Sequence, residues 1–236
     1  ETLILLGPTG SGKSVTLKLA LGLLKANEGK VIVQGRDLGP VPEKEMRDIR
    51  QRMGIVFQEG ALFDSLSVYE NVAYSLREKG MKDEAEMERL AREVLSFVEL
   101  EAAIDKMPAE LSGGMKRRVS IARAIINDPL IMLYDSPTGG LDPVTAQTIN
   151  ILILKLRDVQ GVSSIVVTHR LQDAFWLAKF AYSKDTKGLV PARGNGASGP
   201  ASSTRFLVLR EGSVYFHGTP KEVVSTGDPY LQQFLR

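Results

Sequence analysis

The stretch Gly7–Ser14, GPTGSGKS, carries the densest chemistry in the chain. It fits G-x-x-x-x-G-K-[ST], in which glycines let the backbone curl until successive N–H groups point at phosphate oxygens. The candidates are Gly7, Pro8, Thr9, Gly10, Ser11, Gly12, Lys13 and Ser14. Lys13 would reach the β- and γ-phosphates as a point charge, and the Ser14 hydroxyl would face Mg2+. A helix starting there would add its positive end. LIMLYD, Leu130–Asp135, is the matching partner: apolar residues, a tyrosine, then a carboxylate where a buried strand ends. Asp135 would hold the same metal through water. In LSGGM, residues 111–115, Ser112, Gly113 and Gly114 sit at the start of another helix, a second anion site made of free N–H groups. Two such starts do not easily face one nucleotide within a monomer. A head-to-tail dimer solves this, with each triphosphate between the 7–14 loop of one copy and Ser112–Gly114 of the other.

These residues need elements to hold them. TLILL (Thr2–Leu6) reads as a buried strand, followed by a helix from Lys13 to Leu24 with Leu17, Leu21 and Leu24 on one face. Further strands are expected over 29–35, 53–58, 130–135 and 164–168, with a helix over 143–159 between the last two. Strand–helix–strand alternation implies an α/β fold with parallel strands and right-handed crossovers. From Ser67 to Ile126 the pattern is almost wholly helical. Ser67 and Glu70 form an S-x-x-E capping box; Met87, Leu90, Ala91, Val94, Leu95 and Val98 recur at the helical period, with Glu88 and Arg92 paired on the wet face. Residues 183–205, rich in Gly, Ala, Ser and Pro, read as a flexible loop. A hairpin turning at Glu211–Gly212 and two short helices near 220–224 and 229–234 close the chain.

Other features receive structural readings. MKRR (Met115–Arg118) is expected as a solvated helix face, His217 as a surface hairpin residue, and Phe175 and Trp176 as packing. The 236 residues suit one large domain, and 43% hydrophobic with 25% charged residues is enough to bury a sizeable core. No apolar run reaches 18 residues, so a membrane would be reached only through a partner. The absence of cysteine excludes disulfides and fits a cytosolic protein. Thirty basic against 28 acidic residues leave a charge of +2, too small to argue for nucleic acid.

Taken in order, GPTGSGKS, Gln58 in VFQEG, LSGGM, LIMLYD, GGLDP and VTHRL make the chain resemble the nucleotide-binding subunit of an ABC transporter. The resemblance implies a P-loop NTPase (RecA-like) α/β core with a mostly parallel sheet, residues 1–65 and 128–236. It implies an inserted all-helical subdomain over 66–127 and a dimer that sandwiches ATP and Mg2+. Gln58 would sense the metal and the attacking water, completing a metal set with Ser14 and Asp135. His169, at the end of SIVVTH, would contact the γ-phosphate. Asp142 would communicate across the dimer, and Leu111 to Gly114 would face the neighbour's ATP. The partners implied are a second copy of the chain and an integral-membrane permease, at the cytoplasmic face of the cell membrane. FQEGALFDSLSVYENVAYSLRE, MPAELSGGM, LYDSPTGGLDPVTA and GTPKEVV resemble more narrowly the ATPases of MCE-associated, Mla-type phospholipid transporters.

One position departs from that pattern. The family places a glutamate after the strand-end aspartate, where it activates water; here stands Ser136. A hydroxyl is a very weak base, and loss of a positioned general base costs about 10²–10⁴ in rate. ATP binding is therefore expected with slow hydrolysis, while His169 is the nearest candidate to compensate. The family also carries a strand pair ahead of the phosphate loop, with an aromatic that stacks on adenine. For a chain starting at Glu1, weaker and less base-selective binding is expected. Two alternatives remain: a non-hydrolysing, ATP-dependent dimerisation module, and a soluble relative acting on DNA or ribosomes. The near-neutral charge and the lack of a long coiled coil count against the last.

Overall fold

The computed structural model of the protein describes residues 1–192 and 204–234. In β1 (Thr2–Leu6), Ile4, Leu5 and Leu6 are wholly buried, as a strand of a parallel sheet covered on both faces requires. α1 (Lys13–Ala20) stops a turn earlier than the leucine spacing suggests, with Leu21 as its cap. The 29–35 run yields only β2 (Ile32–Val33), paired antiparallel with β3 (Arg36–Asp37). α2 (Glu43–Arg50) is absent from the sequence-based expectation, yet its signals are local. Glu43 and Glu45 occupy the first turn, Arg47 and Arg50 the last, and Met46 and Ile49 turn inward three residues apart. β4 (Met53–Val56) then returns to the sheet.

Three α-helices follow. α3 (Val68–Glu78) opens on the expected capping box: Ser67 Oγ accepts from Glu70 N at 3.2 Å, and Glu70 Oε2 accepts from Ser67 N at 2.8 Å. Such a cap contributes about 1 kcal/mol. α4 (Glu84–Phe97) buries Met87, Ala91 and Leu95, while Arg92 pairs with Glu88 at 2.7 Å on the wet face. α5 (Gly113–Ile125) begins under Ser112. These helices share one hydrophobic core with the sheet. Val72, Leu95, Val119 and Ile121 belong to the same cluster as Ile4, Val56, Met132 and Tyr134.

β5 (Ile131–Asp135), α6 (Pro143–Gln160), β6 (Ser163–Val167) and α7 (Leu171–Lys179) complete the alternation. The loop expected over 183–205 is corrected at both ends. β7 (Phe180–Ser183) pairs antiparallel with β8 (Gly188–Pro191), and Thr204 and Arg205 already belong to β9 (Thr204–Arg210). Residues 193–203 of that expected loop lie outside the described part. Buried Arg157 organises this region, donating to Phe180 O at 3.1 Å and to Thr204 Oγ1 at 3.0 Å. Its neighbour Asp158 accepts from Tyr182 N at 2.7 Å. β10 (Ser213–Gly218), α8 (Pro220–Ser225) and α9 (Pro229–Phe234) follow.

The main sheet runs β10-β9-β1-β6-β5-β4. All neighbours are parallel except β10 with β9. Leu5 and Asp135 both stand opposite Val167, and Val56 opposite Tyr134. The carboxyl ends of β1, β6, β5 and β4 therefore align along one edge, where open α/β sheets place their ligand crevice.

Candidate nucleotide-binding site

The aligned strand ends open into a cleft of about 590 Å³. Of the expected loop residues Gly7 to Ser14, all but Ser11 line it, together with Gln58, Asp135, Ser136 and His169. Ser11 is turned inward: its N–H donates to Pro8 O at 3.2 Å, and its buried hydroxyl has no partner. Gly12 caps α1 at φ 103°, a left-handed conformation that a side chain would strain. A Cβ there would meet nothing within 4 Å, so the space above the helix start is open.

Lys13 Nζ folds back onto its own loop, donating to Gly7 O at 2.9 Å and Pro8 O at 2.8 Å. Desolvation lowers its pKa, opposed by the charge of Asp135. A triphosphate would offset that desolvation. Ser14 Oγ donates to Asp135 Oδ2 at 3.3 Å, bringing together groups 121 residues apart. Among the described residues, no group of three His, Asp or Glu could hold a metal unaided. A hydroxyl and one carboxylate nonetheless suit Mg2+, which keeps its waters and borrows phosphate oxygens.

Ser136 is only 8% exposed and sits at φ 50°, with its N–H donating to Val167 O at 2.9 Å. A left-handed backbone costs an ordinary residue about 1–2 kcal/mol, so the fold imposes this shape. Gln58 is exposed and lies against the loop that follows: a Cβ on Gly139 would come 3.4 Å from Gln58 Nε2. His169 is exposed just beyond β6. Its neighbour Arg170 donates to Thr138 O at 3.0 Å and Leu141 O at 3.4 Å, and pairs with Asp173 at 3.3 Å. Asp173 also accepts from Thr138 Oγ1 at 2.5 Å and Asn150 Nδ2 at 3.1 Å. This cluster, unforeseen from sequence, ties the His169 segment to the loop after Ser136. Its one visible signal was the i,i+3 spacing of Arg170 and Asp173 at a helix start.

The remaining candidates stand outside the cleft. Leu111 is buried, while Ser112, Gly113 and Asp142 are exposed. Ser112 Oγ accepts from Met115 N at 3.3 Å and caps α5. Asp142 Oδ1 accepts from Val144 N and Thr145 N, both at 3.0 Å, and caps α6. Hydrogen bonds from the Thr145 side chain and from these N–H groups hold its carboxyl below the usual carboxylate range. The two helix starts touch: a Cβ on Gly114 would fall 2.2 Å from Thr145 Cγ2, whereas one on Gly113 would meet only Leu141 Cδ2 at 3.7 Å. Gly114 thus permits intramolecular packing, and Gly113 leaves room for an approaching molecule.

The expectation that Met115–Arg118 is a solvated face fails at Arg117. It is 4% exposed and donates to Phe57 O and, at 3.4 Å, to Gly139 O. Desolvation lowers its pKa, opposed by the charge of Glu59. Its place four residues before buried Ile121 was the available signal. His217 is exposed as expected, and Phe175 and Trp176 pack against the core.

A glycine-rich loop between strand and helix, facing a strand-end aspartate across a mostly parallel sheet, defines a P-loop nucleotide-binding domain. The pattern of the ABC transporter family matches residues 1–139, and the chain belongs to that family. Over its whole length it is 41% identical to the probable ribonucleotide transport ATP-binding protein mkl of Mycobacterium tuberculosis, of which it spans 58%. It is 38% identical over 232 residues to the intermembrane phospholipid transport system ATP-binding protein MlaF of Haemophilus influenzae, covering 98% of this chain and 78% of that one. Among solved structures, the ATP-binding cassette MJ0796, in a dimeric post-hydrolysis state bound to ADP and Pi, matches with a TM-score of 0.75. The identity is 32%, covering 93% of this chain and 85% of that one.

Proposed function

We propose that the chain is the ATP-binding motor subunit of a phospholipid transporter, working as a dimer that closes around two nucleotides. One observation carries this reading. The cleft gathers the phosphate loop, Gln58, Asp135, Ser136 and His169, while Ser112, Gly113 and Asp142 lie exposed outside it. A second copy, turned head to tail, would bring its Ser112 helix start to the open side of the first copy's triphosphate. The helix dipole and free N–H groups there favour an anion.

In this reading Lys13 leaves Gly7 O and Pro8 O for the β- and γ-phosphates. Ser14 and, through water, Asp135 would hold Mg2+, which neutralises charge on those phosphates. Gln58, after β4, and His169, after β6, follow the two strands that flank the Asp135 strand and would orient water and the γ-phosphate. Ser136 offers a hydrogen bond to water but no base, so turnover is slow while electrostatic stabilisation persists. That serine also supports a second reading, a non-hydrolysing module that dimerises on ATP.

Phospholipid as cargo draws support from the likeness to MlaF; the mycobacterial relatives bear a ribonucleotide-transport name, which is said of them. No described helix is long and apolar enough to cross a membrane, so an integral permease would provide the path. We place its contact on the helical region and the Gln58 segment, at the cytoplasmic face.

The test is the solution mass with and without Mg-ATP. The wild-type mass should double on adding nucleotide, and Ser112→Trp should bind ATP yet stay monomeric. A wild-type chain that remains monomeric when saturated with Mg-ATP would overturn the proposal.

A further inference from the structure

One buried arginine joins the helix that would meet the neighbour's nucleotide to the segments that handle the chain's own. Arg117 lies on α5, a turn beyond Ser112. Its guanidinium donates to Phe57 O, on the residue before Gln58. It donates also to Gly139 O at 3.4 Å, in the loop between Ser136 and Asp142. Further along α5, Arg123 donates to Gly60 O at 3.1 Å and lies over the Phe63 ring at 5.6 Å. The segment carrying Gln58 is therefore held on both sides by one helix.

Arg117 is an expensive way to fasten a loop. No described carboxylate forms an ion pair with it, and its buried Nε has no partner. A desolvated charge whose hydrogen bonds go to neutral carbonyls, with the Glu59 charge only partly opposing the loss of solvent, is costly compared with an apolar side chain of similar reach. Stability gives little reason for it, whereas position does: both acceptors lie on loops that carry site residues.

We propose that Arg117 is a positioning residue that couples the two nucleotide half-sites. When Ser112 engages the neighbour's triphosphate, displacement of α5 is passed through Arg117 to Phe57 and Gly139. It thereby sets Gln58 and the Ser136–Asp142 loop around the chain's own nucleotide. This rests on the sandwich reading above and adds the residue that links its halves.

Spatial intermediacy alone does not establish coupling, so the test measures it. Arg117→Met keeps the length and removes the donors. Its monomer should bind a fluorescent ATP analogue with Mg2+ within about threefold of wild type, while nucleotide-driven dimerisation should need about tenfold more protein. Any difference that Mg2+ makes to dimerisation of the wild type should also shrink, because Gln58 is no longer set by α5. Arg117→Lys, able to reach one carbonyl, should fall between. Dimerisation of Arg117→Met at wild-type concentration overturns the inference, as does an equal loss of monomer affinity, which marks a merely structural role. If Arg117→Met does not fold, Arg117→Lys is judged by the same criteria. A wild-type chain that never dimerises would instead sink the sandwich reading itself.

Discussion

At Ser136 the backbone already has the shape the site needs. Its φ of 50° and its N–H bond to Val167 O are set by the strand ends around it. A glutamate there meets the same conformational cost as serine, since neither is glycine, and its side chain enters a cleft already lined by Lys13, Gln58 and His169. Ser136→Glu should raise phosphate release at saturating Mg-ATP by about 10²–10⁴. An unchanged rate would show that a missing carboxylate is not what limits turnover. Residues of this kind were legible in the sequence because their chemistry is local: eight consecutive positions for the phosphate loop, one apolar run ending in Asp135. Arg117 was not, because its acceptors lie 60 and 22 residues away and only the folded chain brings them under α5.

Among elements, the starts of α5 and α6 meet in a close contact near the site. Gly114→Ala would press a methyl onto Thr145 Cγ2, a branched side chain with little freedom to move. We expect a loss of about 1–3 kcal/mol, read from the urea midpoint. Thr145→Ser, which removes that methyl, should restore most of it in the double variant. Failure of rescue would mean the collision is relieved elsewhere. The helix start at Ser67 could be read from sequence because the cap and the N–H that donates to it lie within three residues. Element ends were less legible. α1 stops at Ala20 although Leu24 continues its apolar stripe, because tertiary packing rather than periodicity decides where a helix frays. α2 escaped notice because only Met46 and Ile49 interrupt a charged run. The β7–β8 hairpin was hidden by the Gly- and Ser-rich composition just downstream.

For the molecule as a whole, one core spans helices and sheet, so a pull on the helical region reaches the cleft through packed side chains. On its surface Tyr74 stays 40% exposed with its ring tilted against Phe63, centroids 4.7 Å apart. If the permease docks there, Tyr74→Asp should leave ATP binding intact and reduce co-purification with the membrane partner about tenfold. Full retention of the partner would move the interface elsewhere. The fastening of Phe57 and Gly60 to α5 has an evolutionary side as well. Arginine grips main-chain oxygens there, and every amino acid supplies one. Side chains at position 57 are free to drift without loosening the hold, so this linkage would leave no trace of correlated substitution between the helix and the segment it steers.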